Sequence, residues 1–342
     1  MHRPSPSSSE YSVAIIGAGL SGLTAGQALA EAGHAVAVFD KGRGPGGRMS
    51  TRRQAETTFD HGAQYFTVRD ERFRRRVASW TEAGIVQRWD GRIGVAEGGA
   101  VTPKGDGPER YVGVPRMSAV PRHLADGLDV RCRVRVEAAE PSGARWSLVA
   151  DDGADLGTFD AVLVTVPPPQ AAPLLAAAPD LARRAASVTM EPTWAAMATF
   201  DAPLPVEADG LFVHDAPLSW AARNSSKPGR PALESWVFHG APAWTETHIE
   251  DEPDAVVEAL LSGFFAATGL RPVAPTFAQA HRWRYAQADE PLEDGCLWDE
   301  AQRLGACGDW CHGSRVEGAF LSGLAGAEAV ARSLAPSSAA TE

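Results

Sequence analysis

The sequence predicts an α/β fold built on a parallel sheet, and three observations predict it. A β-branched apolar run at residues 11–16 leads into the glycine-spaced turn Gly17-Ala18-Gly19-Leu20-Ser21-Gly22. A helical stretch then reaches Ala32, stops at Gly33 where a C-terminal cap belongs, and gives way to a second apolar strand at 35–39 that ends in Asp40. Much further on, residues 160–166 form another buried-strand run, halted by Pro167-Pro168-Pro169. Strand, turn, helix and strand at this length meet the needs of a parallel crossover.

The other elements follow from the same patterns. Residues 1–10 read as a disordered lead and 73–83 as a helix. Runs 130–136 and 146–150 read as paired strands around the turn residues Pro141-Ser142-Gly143. A tryptophan-rich stretch holds strands at 194–200 and 235–239 and a helix at 253–268. The tail reads as a short strand at 305–308 followed by a helix over 316–334. No internal repeat is present. The plan expected is a discontinuous nucleotide domain from 11–75, 115–168 and 295–335, with a substrate domain inserted as 76–114 and 169–294.

Composition narrows the class. At 342 residues the chain is long enough for two domains and can bury roughly 75% of its unfolded surface. The net charge of −11 opposes a general grip on nucleic acid or anionic membrane, so neither is expected as a partner. Only Lys41, Lys104 and Lys227 are lysines; arginine supplies the other positive charge. Four cysteines, Cys132, Cys296, Cys307 and Cys311, are too few for a disulfide scaffold and fit a reducing cytoplasm. Residues 13–30 carry no charge and end in Ala28-Leu29-Ala30, as a signal peptide would. Pro4, Pro6 and Glu10 make a poor basic leader for one, and the glycine spacing has a better explanation.

That explanation is a dinucleotide site. Gly17 permits the tight turn, Gly19 admits a diphosphate against the backbone, and Gly22 lets the helix pack close to its strand. The helix N-terminus offers free N–H groups to the phosphates. Asp40, 23 residues beyond Gly17, is placed to accept hydrogen bonds from a ribose. Which dinucleotide binds stays open on this unit alone.

The next segments carry a resemblance. Asp40-Lys41, Gly46-Gly47-Arg48-Met49, Gly62-Ala63-Gln64-Tyr65, Trp283-Arg284 and Ala306-Cys307-Gly308-Asp309 run in the order of the flavin-dependent amine-oxidase superfamily. Within it the chain is most similar to the renalase-like group. The resemblance implies a Rossmann-type FAD-binding domain with an inserted α+β substrate domain, an architecture like that of p-hydroxybenzoate hydroxylase. It implies non-covalent FAD held by Gly17, Gly19, Leu20, Ser21, Gly22, Asp40, Lys41, Gly47, Arg48, Met49, Gly62, Ala63, Gln64 and Val134. It adds Gly308, Asp309, Glu317, Gly318 and Ala319 from the tail, whose helix points its N-terminus at the flavin in this superfamily. Arg48 offers a planar fork for a diphosphate oxygen. Small residues Gly318, Ala319 and Ser322 serve either close flavin approach or packing alone.

The activity implied is oxidation of dihydronicotinamide isomers to NAD(P)+ with O2 reduced to hydrogen peroxide, by a monomer or weak dimer. Many amine oxidases of the superfamily carry a lysine beside the flavin. Residues 193–200, the comparable stretch, have none, and Lys104 and Lys227 read as surface loops. The alternatives are an amine oxidase or desaturase, and a flavin-binding redox sensor without turnover. No second dinucleotide fingerprint is present, so a nicotinamide enters as substrate over the flavin. Candidates for the substrate pocket are Tyr65, Asn224, His239, Trp283 and Arg284: an aromatic to stack on the ring, and polar groups for its carboxamide. Trp283 also reads as a core tryptophan, His239 as a satisfied strand histidine and Asn224 as a loop residue. No metal site is expected, and Cys307 and Cys311 read as idle buried thiols.

Overall fold

Ser12–Ile16 lies inside a six-stranded sheet in the computed structural model, which describes residues 11–54, 56–214 and 217–335. The lead at 1–10 lies outside the described residues. Ile15 stands opposite Val38 of Ala35–Asp40 on one side and Leu163 of Ala161–Val164 on the other, both in parallel. A strand covered on both faces reads as an unbroken apolar run, and Val13, Ala14 and Ile15 are fully buried. Asp129–Cys132 and Leu304–Ala306 extend the parallel array on its two sides, and Leu297–Asp299 closes one edge antiparallel. Both chain ends and the middle therefore build one sheet.

One expected pairing divides. Residues 130–136 do not form a single strand: Asp129–Cys132 joins the parallel sheet beside Ala35–Asp40, and Val136–Ser142 pairs with Arg145–Ala150. Arg133 sits between them at φ 63°, a left-handed conformation that breaks the extended run. Asp155–Phe159 completes this small sheet.

The helix Leu20–Glu31 packs on the tail helix Val316–Leu334 at glycine distance. A Cβ at Gly323 would overlap the Ser21 carbonyl oxygen, so the small residues of the tail helix serve packing first. Ser322 agrees: it is fully buried, accepts the Gly308 N–H at 2.8 Å and donates to the Gly295 carbonyl.

A second, seven-stranded sheet is formed mostly by residues 190–288, with Ile93–Glu97 and Ala100–Pro103 added at one end. One face packs on the helix Pro253–Thr268, which buries Leu260 and Phe264 against Trp236 and Phe238. Alternation sends Val237 to the other face, where it meets Met197 and Phe59. His239, Ala195 and His281 lie in one cross-strand row. The expected boundaries at 75/76 and 168/169 fall inside packed units. Phe73 and Trp80 of Glu71–Glu82 both pack on Phe320, and Ala171, Leu174 and Ala185 share a core with Phe39 and Val164.

Candidate active site

A cavity of about 1010 Å³ runs along the carboxyl ends of the first two strands and on toward the seven-stranded sheet. Its nucleotide end is built from backbone. Gly17 holds φ 119°, and a Cβ there would stand 2.6 Å from Thr165 Oγ1. A Cβ on Gly22 would overlap the Gly17 carbonyl oxygen, which ties the helix to the turn. Gly19 differs: a Cβ there meets nothing within 4 Å, and the residue lines the cavity. It is also the helix N-cap, with no side-chain cap and no acidic residue in the first turn, so the N–H groups remain available to an anion. Asp40 accepts the Ala18 and Gly42 N–H groups, each at 2.6 Å, and stands on the same wall. Lys41, Gly47, Arg48 and Val134 line it too. Lys41 donates to Gln170 Oε1 at 3.1 Å, and the Val134 N–H is taken by the Asp40 carbonyl.

Arg48 departs from its expected partner. Its guanidinium is bidentate on Asp309 at 2.6 and 2.8 Å and donates a third bond to the Ala286 carbonyl. The remaining expected cofactor residues are not on the cavity wall. Leu20 and Met49 are packed in the core, and Ser21 Oγ meets Cys307 Sγ at 3.1 Å. A Cβ on Gly62 would overlap the Arg48 carbonyl oxygen, which also accepts the Ala63 N–H, so these residues join two loops. Glu317 accepts the Arg69 and Asp70 N–H groups at 2.7 and 2.8 Å, and a Cβ on Gly318 would overlap the Gly313 carbonyl. Ala319 is half-buried beside it, packed against the core next to the sheet. Burial pushes the Cys307 thiol up to about 12 and raises Cys311 too, as idle thiols require.

The substrate end is built from side chains. Of the five expected residues only Trp283 lines the cavity, joined there by His61 and His281. The three rings cluster with centroids 4.5–5.1 Å apart. Gln279, His281 and Trp283 alternate onto one face of their strand, and Arg284 points the other way to an exposed ion pair with Glu250. Asn224 is fully buried and spent: it accepts the Asp60 N–H and donates to the Thr58 carbonyl. His239 Nε2 donates to the His61 carbonyl at 3.2 Å, behind the wall rather than on it, and burial lowers it to about 4. Tyr65 packs between Trp89 and Trp220.

The His61 carbonyl also accepts the Trp283 Nε1–H at 2.9 Å, so two donors hold this residue against the cavity. Burial and neighbouring Arg52 lower His281 to about 4; burial, His281, Arg52 and His239 lower His61 to about 3. Both rings are neutral at pH 7. Arg52 donates to His281 Nδ1 at 3.3 Å, which leaves the proton of that ring on Nε2. His61 Nδ1 is buried with no hydrogen-bond partner among the described residues. Neither histidine was found from sequence, although His61 lies beside the Gly62-Ala63-Gln64 motif and His281 two residues before Trp283.

Lys227 overturns its surface-loop reading. Its side chain is fully buried, 3.1 Å from Gln64 Oε1 and 3.7 Å from Asp60, which also pairs with Arg230. Burial pulls it down to about 8 against the Asp60 charge. The Asn224–Ser226 turn and the Asp60 carboxylate draw this loop inward.

The comparisons agree with this architecture. Residues 93–331 match the model of the flavin containing amine oxidoreductases, and 15–79 match an NAD(P)-binding Rossmann-like domain. A solved cyclohexylamine oxidase from Brevibacterium oxydans IH-35A superposes with a TM-score of 0.76 at 15% identity, covering 96% of this chain and all of that one. A provisionally assigned protoporphyrinogen oxidase from Exiguobacterium sp. 255-15 gives 0.77 at 14%, covering 94% and 98%. A 4,4'-diapophytoene desaturase of Staphylococcus haemolyticus is 43% identical over 58 residues, 17% of this chain and only 12% of that protein. Among the described residues no helix is long and apolar enough to cross a membrane, and no group of side chains is arranged to hold a metal. The cavity fits FAD: of the three glycines in the turn, Gly17 and Gly22 are closed in by neighbouring atoms, whereas Gly19 has open space beside it and faces the void where a diphosphate belongs. The chain belongs to the flavin containing amine oxidoreductase family.

Proposed function

We propose that this protein is a renalase-like FAD oxidase, converting dihydronicotinamide isomers of NAD(P)H, with O2 and a proton, to NAD(P)+ and hydrogen peroxide. The observation that carries the reading is the wall of His61, His281 and Trp283. It is aromatic and uncharged at neutral pH, and the charge beside it is that of Arg52. The two carboxylates on the cavity wall, Asp40 and Glu137, lie at the nucleotide end. A protonated amine at this wall would be desolvated without a counterion, whereas a neutral dihydropyridine ring finds flat partners.

FAD supplies a two-electron acceptor that returns its electrons to O2. The protein's part is positioning. Trp283, its indole N–H fixed on the His61 carbonyl, offers a face for the ring. The His281 Nε2–H is the polar atom suited to a carboxamide. Four free cysteines, two of them buried, suit a cytoplasmic setting.

A second reading, oxidation of a small amine, gains support from the buried Lys227 and from the likeness to cyclohexylamine oxidase. Anaerobic titration of the FAD-loaded protein separates them. Bleaching of the flavin by dihydro-NAD(P) isomers, and not by β-NADH or a panel of amines, is expected; bleaching by an amine alone would overturn the proposal.

A further inference from the structure

We infer that Arg53 and Arg122 form a phosphate-binding subsite on the cavity wall, with the charge of Arg116 nearby, for a phosphate of the dinucleotide substrate; this rests on the proposed function. Arg53 comes from the hairpin strand Arg52–Gln54, and Arg122 from the short helix Ala119–Ala125. Both line the cavity that also holds the ring-binding wall, as does Ser118. Arg116 precedes that helix, and Arg53 and Arg122 are close enough to it to act on its charge.

None of the three forms an ion pair among the described residues. Arg72, Arg88, Arg92 and Arg131 each rest on a carboxylate; what sets Arg53 and Arg122 apart from other unpaired arginines, such as exposed Arg75 and Arg271, is their place on the cavity wall. Asp60, the acid acting on Arg116, is already paired with Arg230 and Lys227. In a chain with 43 acidic and 32 basic residues, two unneutralised arginines on one cavity wall make a site for an anion. Planar guanidinium forks match phosphate oxygens, and a dihydronicotinamide ring seated on Trp283 must lead out of the pocket to phosphates. Those phosphates have two sources: the diphosphate bridge, or the 2′-phosphate of an NADP-type substrate.

The test uses FAD-loaded wild type, Arg53→Gln and Arg122→Gln, with isomers of NADH, NADPH and dihydronicotinamide mononucleotide as anaerobic reductants. The half-saturating concentration is expected to rise about 10-fold or more per substitution, with the limiting rate of flavin reduction unchanged and the effect shrinking in high salt. Loss confined to the NADPH isomer identifies the 2′-phosphate; equal loss for both dinucleotides, and less for the mononucleotide, identifies the diphosphate. Unchanged half-saturation for every reductant overturns the subsite, as does loss of FAD from the variants, which would assign these arginines to the cofactor. Calorimetric binding of NADP+ to the same proteins separates the two levels. If no isomer reduces wild type but NADP+ binds it about 10-fold more tightly than the variants, the subsite stands and the proposed reaction falls.

Discussion

The two ends of the cavity are made of different material. The nucleotide end is backbone: Gly17, Gly19 and the free N–H groups of one helix, all within a few residues of each other, with Asp40 anchored on the same turn. The substrate end is side chains drawn from 52–61, 118–122 and 279–283, stretches far apart in sequence. Backbone sites demand particular residues at fixed short spacing. Side-chain sites demand only that several strands arrive with the right register.

The largest effect expected tests the backbone end. Gly22→Val should abolish soluble folded protein, because its Cβ would overlap the Gly17 carbonyl oxygen, while Gly19→Val should fold normally and purify colourless. Circular dichroism and flavin absorbance read the two apart; a yellow Gly19→Val protein would mean the diphosphate lies elsewhere. Next comes the buried charge cluster behind the wall. Asp60→Asn leaves Lys227 and Arg230 buried without their carboxylate and should destabilise by about 3–5 kcal/mol in denaturant unfolding. A smaller loss would show that the loop relaxes to let water in.

On the substrate end, Trp283→Ala should slow flavin reduction about 10-fold or more while FAD content stays full. Its strand neighbour Arg284→Ala should leave reduction kinetics unchanged, since that side chain points to solvent and Glu250. Stopped-flow absorbance on both variants checks the face assignment, and equal effects would contradict it. The smallest effect is on pH. His61 titrates near 3, and His239 and His281 near 4, in the folded protein, against about 6.5 unfolded. Between those values the unfolded chain binds more protons, so stability falls as pH drops from 6.5 toward 4. Melting curves across that range should show Tm decreasing, with the decrease reduced in His61→Phe; a flat profile would mean the rings are already charged.

The legibility of the sequence follows the same division. Glycine spacing, the apolar runs at 11–16 and 35–39 and the Asp40 terminus announce the dinucleotide turn because each is a local steric requirement. The helices Pro253–Thr268 and Val316–Leu334 were readable from end to end, since apolar residues and small residues mark them locally. Trp283 was readable by resemblance. Asn224 and His239, equally polar and equally suggestive, turned out to be spent on backbone atoms of residues 58–61.

By itself, then, the sequence determined a parallel nucleotide-binding core, because that depends on short-range backbone geometry, while the family and the cofactor were legible only through the resemblance carried by the order of its motifs. Tertiary structure alone decided which side chains face the cavity. Cross-strand register placed His281 and Trp283 inward and Arg284 outward; burial kept the histidines neutral; and one carboxylate, Asp60, drew Lys227 out of solvent into the core. Burial and long-range pairing set those outcomes, and neither is encoded in the spacing of neighbouring residues.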